Sequence, residues 1–389
     1  MNPPRATSRP FDFERGGAVS VLAALGLLAA LAPRGLLGEL AAQLVADARS
    51  LGASRAGREL QVRNYYDALV APESGEQSGL AFRLAQRWTG RAAAMRRFEP
   101  WPRCKIVRND DPFLPTVMIP DSEAMHAGAL IRSNHWGMRD VCEREKPAGC
   151  KRIALLGSSV DMGWGVPHEA TYEVAAEEAL NASLTGRHYE ILNFSNPGYS
   201  IIESIYQAEN QTLDFSPDLI LVSVNPDSYE SLILDCVLGR VAAGRDAHYE
   251  FVSRILDRAG VGRGEKSADA RRKLRPFRPA LFHAACKYLA AWSAQSGVPV
   301  RLIVVQLDIG VRPETMLTDI AESAEDAGVR VIPLFGVLKG LSPSEAFVNA
   351  GIDEHPSALA HQRIAAALLV ALRNDADAAR LLELAPGQE

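Results

Sequence analysis

Two short stretches of the 389-residue chain carry side chains whose types and spacing suit nucleophilic chemistry. The first is Gly157-Ser158-Ser159, which follows the apolar run RIALL and precedes a helical pattern. A serine here stands where the carboxyl end of a strand gives way to the start of a helix, a place that favours developing negative charge. Its own amide, one of the unpaired N–H groups of a helix start, can donate to an oxyanion. Taken alone, Ser158 or Ser159 is more simply a helix N-cap. The second stretch is Asp353-Glu354-His355-Pro356. A carboxylate two positions before a histidine, in a constrained turn, can orient the imidazole, which then takes a serine proton while the acid holds its tautomer and stabilises its charged form. Taken alone, it is a polar turn whose Ser357 caps the last helix. Together, in one alternating pattern of strands and helices, the two stretches read as Ser159, His355 and Asp353 of a catalytic triad.

The elements that must position them begin at Lys151. RIALLG reads as a strand, SSV as a tight turn, and the segment running to EVAAEEAL as a helix. Further strands are expected at Tyr189 to Asn193, Leu219 to Val224, Val300 to Leu307 and Arg330 to Ile332. Helices such as Ile201 to Gln211 and Ile320 to Ala327 separate them. Alternation of this kind implies a mainly parallel, helix-covered sheet in three layers. Between Asp227 and Gly297 helix formers dominate, so residues 228–297 read as a helical insertion. Its basic stretch at Arg271, Arg272, Lys273 and Arg275 reads as a solvated face. From Ala71 to Gly149 seven prolines punctuate short apolar pieces, predicting loops and short strands.

With the triad residues placed, the resemblance to the SGNH (GDSL-like) hydrolase superfamily becomes specific, spanning about Lys151 to Asn374. IALLGSSVDMGWGV resembles its first block and DEHPSALAHQRIA its last; LNFSNPGYS resembles the second, and PDLILVSVNPDS the strand leading to the third. IRSNHWGMRD upstream resembles the lead-in of exported bacterial members. The resemblance implies a three-layer α/β/α fold and ester or acyl chemistry. Ser159 would be the nucleophile, Asp353 and His355 the acid and base, and the Ser159 amide, Gly198 and Asn225 the oxyanion donors. No metal or organic cofactor is needed. Two departures stand out. Ser158 occupies the place of the family's usual aspartate, and the usual Gly-x-Asn-Asp is missing, an ungapped comparison placing Asp227 near the donor position with Asn225 two residues earlier. A carboxylate there would repel an oxyanion, so an inactive scaffold that binds glycan or envelope partners stands as the rival to an esterase or O-acyltransferase. His168 and His361 fall outside the matched positions and read as helix caps or covers. Asp161 reads as a complement to the helix dipole, and Trp164 as packing beneath the loop or lining the mouth of the site.

The start of the chain sets the expected location. Gly16 to Pro33 carries no charge and, at 1.5 Å per residue, an 18-residue helix spans about 27 Å, close to the hydrocarbon thickness of a bilayer. Arg5, Arg9 and Arg15 precede it, which favours an inside N-terminus and an exported domain. Ala30-Leu31-Ala32 offers a signal-cleavage alternative, although Pro33 opposes it. The expected organisation is therefore residues 1–40 as cytoplasmic tip and transmembrane anchor, 41–150 as stalk and irregular lead-in, 151–375 as the hydrolase-like domain, and 376–389 as a tail. That places the domain in the periplasm or outside the cell, acting on a small acyl ester or glycan. A net charge of -5 gives no reason to expect nucleic acid. The five cysteines lack metal or redox spacing; Cys142 and Cys150 are close enough in sequence to pair in an oxidising compartment.

Overall fold

A computed structural model describes residues 101–183, 188–307, 314–350 and 353–384. The expected anchor at Gly16 to Pro33 and the stalk lie outside the described residues. Among the described residues, no helix is long and apolar enough to cross a membrane.

The described chain opens with two small antiparallel pairs. Strand β1 (Val107–Arg108) pairs with β2 (Val117–Met118), and β3 (Glu123–His126) pairs with β4 (Ala129–Arg132). Ala127 and Gly128, both at positive φ, make the tight two-residue turn between β3 and β4. The central layer then begins with β5 (Cys150–Leu156), followed by the one-turn helix α1 (Ser159–Met162), α2 (Tyr172–Ser183), β6 (His188–Asn193), α3 (Ile201–Asn210) and β7 (Leu219–Val224). Four helices come next: α4 (Ile233–Ala242), α5 (Glu250–Ala259), α6 (Ser267–Leu274) and α7 (Arg278–Ser296). The sheet resumes with β8 (Val300–Val305), α8 (Glu314–Asp326) and β9 (Arg330–Leu334). The chain closes through α9 (Pro343–Ala346), β10 (Phe347–Asn349), β11 (Asp353–Pro356), α10 (Ala358–Asn374) and α11 (Ala376–Leu382).

The five-stranded sheet is parallel throughout, in the order β6-β5-β7-β8-β9. Helices cover both faces, so β7 and β8 are buried along their whole length and read as near-continuous apolar runs, interrupted only by Ser223 and Arg301. Alternate residues serve opposite layers. Ile153, Leu155, Leu219, Leu221 and Ile303 pack with α2, α10 and α11; Ala154, Leu156, Ile220, Val222 and Leu302 pack with α3, α4, α7 and α8. A fully buried aliphatic side chain contributes about 1.5–3 kcal/mol, whereas an exposed ion pair contributes about 0–1 kcal/mol. These two cores, rather than the surface charges, hold the fold.

Some expected boundaries move. Helices α4 to α7 fill the segment read as an insertion, but Leu281, Phe282 and Ala285 of α7 belong to the main core, so that helix is a layer of the fold. Residues 376–382, expected within a tail, form α11, which Asp375 caps through the amides of Asp377 and Ala378 and which buries Ala378 and Leu382. The cysteines are free thiols, so Cys142 and Cys150 do not pair. The basic stretch on α6 is ion-paired locally, with Arg272 on Asp269 and Lys273 on Glu265.

Strand order places the site. Beginning at β5, the chain adds β6 on one side and then crosses to β7 on the other, so a crevice opens beyond the carboxyl ends of β5 and β7. Ser159 lies just past the first of these ends and Asn225 immediately after the second.

Candidate active site

Strand β11 carries acid and base together. Asp353 and His355 are two residues apart on an extended segment, so both project from the same face, where a turn was expected from the sequence. Asp353 Oδ1 accepts from the His355 ring at Nδ1 (2.5 Å) and from the His355 backbone N–H (3.1 Å). The other ring nitrogen, Nε2, lies 2.7 Å from Ser159 Oγ. With Nδ1 protonated toward the carboxylate, Nε2 accepts the serine proton. All three side chains are buried.

Ser159 is presented by a turn tied from beneath. Ser158, in extended backbone at the N-cap of α1, donates its N–H to Asp161 Oδ2 at 2.7 Å. Asp161 Oδ1 accepts from the Tyr172 hydroxyl at 2.8 Å, and the Asp161 carbonyl accepts from the Asn193 amide at 2.9 Å. Asp161 thus stands in the first turn of α1, as its reading as a complement to the dipole expects, and is in addition a buried tie of the turn. Burial raises its carboxyl above the ordinary value against the pull of these hydrogen bonds. There is no room above it: a Cβ on Gly157 would lie 2.2 Å from Asp161 Oδ2.

The residues read from the sequence as oxyanion donors lie on two loops. After β6, Asn196-Pro197-Gly198-Tyr199 forms a turn closed by the Tyr199 N–H on Asn196 O, with Gly198 at φ +83°, the conformation that a Pro-Gly turn of this type requires. After β7, Asn225 is buried while Asp227 is partly exposed at the start of a single π-turn, Ser228–Leu232. The buried amide beside the nucleophile turn is thus that of Asn225, donated to Ser158 Oγ at 3.2 Å, with its Oδ1 accepting from the Ser228 N–H at 3.0 Å. Ser158 is the acceptor that places Asn225, which gives the serine a structural role at this position.

Several residues at the site were given no part in the triad by the sequence. Gly163 and Gly165, at φ +82° and +76°, flank Trp164 and turn its ring onto His355, with centroids 5.1 Å apart and planes 20° from parallel. The indole N–H donates to Asp353 Oδ2 at 3.0 Å, so Trp164 touches the triad instead of merely filling space beneath the loop. Arg139, from the lead-in, is buried and donates to the carbonyls of Met162, Gly163 and Val166, which clamps that loop. Trp101 packs near Trp164 and donates its indole N–H to Asn196 Oδ1 at 2.9 Å. The short strands β1 to β4 share a small core with Met162 and Trp164, so residues 101–132 form part of the wall of the site. His126 stands edge-on to Trp164 at 4.4 Å, and burial pushes its imidazole down to about 4.

His361 and His168 stay outside the triad. His361 Nδ1 accepts from the Tyr172 N–H at 3.2 Å, and burial pushes the ring down to about 3, a neutral side chain covering α2. His168 is partly exposed, 4.0 Å from Glu173. Elsewhere Cys150, His188 and Glu190 bring their ligand atoms within 4.8 Å of one another across β5 and β6. Arg152 already supplies the positive charge there, holding Glu190 Oε2 through Nε at 2.7 Å and Nη2 at 2.6 Å. The group is a hydrogen-bonded carboxylate with a poor fit for a cation.

No family model matches the chain, and no curated protein matches it. Solved structures do. TesA aligns at 15% identity over 58% of this chain and 99% of its own, with a TM-score of 0.38. The acetylxylan esterase Axe2 from Geobacillus stearothermophilus aligns at 12% identity over 61% and 97%, TM-score 0.38. LAE5, an alpha/beta hydrolase enzyme from the metagenome of Lake Arreo, Spain, aligns at 16% identity over 57% and 94%, TM-score 0.37. At such identities and scores the likeness carries no functional argument, and the chemistry has to come from the side chains.

Proposed function

We propose that this chain breaks or transfers ester bonds through an acyl-serine intermediate, with Ser159 as nucleophile. The observation that carries this reading is the relay itself: one imidazole joined at 2.7 Å to a serine hydroxyl and at 2.5 Å to a buried carboxylate. As Ser159 Oγ attacks an acyl carbonyl, its proton passes to His355 Nε2, and Asp353 stabilises the imidazolium. The carbonyl oxygen becomes an oxyanion, which the amides of Ser159 and Gly198 are placed by sequence to receive, with Asn225 as the side-chain donor. His355 returns the proton to the departing alcohol, leaving the acyl group on Ser159. Water completes hydrolysis; a sugar hydroxyl in its place completes transfer. The same side chains serve both outcomes, so the acceptor alone separates esterase from O-acyltransferase.

The inactive-scaffold reading draws on one specific observation, the donation of the Asn225 amide to Ser158. That amide has a second hydrogen, and the proposal assigns it to the oxyanion. A fluorophosphonate probe separates the two readings. The folded protein should take the label covalently, and Ser159→Ala should not; a folded protein that takes no label would rule out the enzyme. The substrate class we infer is a small acyl ester on an envelope carbohydrate or lipid. That inference rests on the habit of the resembled SGNH superfamily together with the apolar Gly16 to Pro33 run and its preceding arginines, which favour a membrane-anchored domain outside the cytoplasm.

A further inference from the structure

Two members of the relay share a fourth side chain. Trp164 donates its indole N–H to the outer oxygen of Asp353, and its ring lies flat against His355. The inner oxygen of the same carboxylate holds the His355 ring and backbone N–H. Behind the indole stand the edge of His126 at 4.4 Å and Trp101 at 6.0 Å, and Trp164 is itself 1% exposed, so the indole cannot move away without emptying a packed core.

A carboxylate turns about its last bond in a broad, nearly two-fold well, so donors on both of its oxygens hold its plane more firmly than donors on one. A displacement of the base by about 1 Å can cost roughly a hundredfold in rate. We propose that Trp164 is a positioning residue of the relay: its N–H stops the Asp353 carboxylate from turning and its face sets the plane of His355, so that Nε2 meets Ser159 before substrate arrives. The catalytic meaning of this inference rests on the acyl-serine reading; the hydrogen bond itself does not.

The bond has a signature that simple packing lacks, a reversal of sign between two backgrounds. In the parent, Trp164→Phe keeps a ring in place but removes a charge-assisted donor, and should slow fluorophosphonate labelling roughly ten- to hundredfold. In Asp353→Asn the side chain has one acceptor oxygen and one NH2 group. When the oxygen turns to Trp164, the NH2 group faces His355 Nδ1 and leaves the proton on Nε2, where it blocks acceptance from Ser159. Adding Trp164→Phe removes the competing donor and lets the oxygen face His355 again. The substitution that slows the parent should therefore speed the Asp353→Asn variant, by about tenfold if it regains one unit of the lost tautomer preference.

Equal slowing in both backgrounds, or no slowing of a folded Trp164→Phe parent, would overturn the proposal. If Trp164→Phe does not fold, the indole N–H resonances of the 15N-labelled full chain decide the matter. Of the five tryptophan signals, the one from Trp164 should move upfield in Asp353→Asn while those of Trp101, Trp136 and Trp292 hold still, and an unmoved Trp164 signal overturns the proposal. A folded parent that takes no label would sink the hydrolase reading separately, and the resonance would still report the bond.

Discussion

Glu173 offers a prediction that separates two accounts of the polar cluster behind the nucleophile turn. It stands in the first turn of α2 with its side chain 2% exposed, and burial, opposed by the charge of Arg139, raises its carboxyl from 4.5 to about 7. A raised acid holds its proton in the folded protein where the unfolded chain has released it. Its contribution is therefore complete below about pH 4.5 and is lost as pH rises through 7. The shift of about 2.5 units corresponds to roughly 3 kcal/mol in full, of which about 2.5 kcal/mol falls between pH 5 and pH 8. Glu173→Gln cannot ionise. Urea melts of the full chain at pH 5, 6, 7 and 8 should show the variant gaining on the parent by about that amount as pH rises. If instead the carboxylate serves chiefly as the ionic partner of Arg139, the variant would lose ground as pH rises, because a buried guanidinium would be left uncompensated. Parallel curves, or curves that part in that opposite sense, would refute the burial argument. The second outcome would also slow labelling at Ser159, since Arg139 holds the Met162, Gly163 and Val166 carbonyls around Trp164.

Two further outcomes follow from the site and from the amino-terminal run. Ser158→Asp, which installs the residue usual in the resembled family, places a carboxylate where Ser158 Oγ now lies 3.5 Å from Asp161 Oδ2; two such groups cannot both ionise. It should cost roughly 3 kcal/mol at pH 8 and less at pH 5, with recovery on adding Asp161→Asn, and a Ser158→Asp variant as stable as the parent at pH 8 would remove Asp161 as the tie of the turn. Alkaline phosphatase fused after Val70 should be active in cells if the domain is exported, and an inactive fusion would end the placement outside the cytoplasm.

What was legible in the sequence follows from how far each cause reaches along the chain. Leu219 to Val222 and Ile153 to Leu156 announced themselves because a parallel strand buried on both faces is apolar at consecutive positions, a local signal. Ser159, Asp353 and His355 were legible for a similar reason: each sits in a short segment whose local pattern already suits its role, a strand-turn-helix junction or an i, i+2 pair. The choice between Asn225 and Asp227 was not local. It turned on where β7 ends and on which of the two then lies under the neighbouring loop, and only Asn225 is buried there.

Trp164, Trp101 and Arg139 were harder still. Trp164 reaches Asp353 across 189 positions of sequence and Trp101 reaches Asn196 across 95, so neither contact leaves a periodic trace. The strands that carry the lead-in wall are two to four residues long, too short for an alternation to repeat. One local clue does exist, in the glycines on both sides of Trp164. A large ring between two residues at positive φ has been turned out of the path a helix would give it. The side chain so turned lies against His355, the base of the proposed relay, and reaches across to Asp353 on β11. A bulky aromatic held between glycines just after a nucleophile turn is thus a readable sign of a wall built against the base, and Trp164→Phe is the substitution that shows whether its N–H, as well as its bulk, is used.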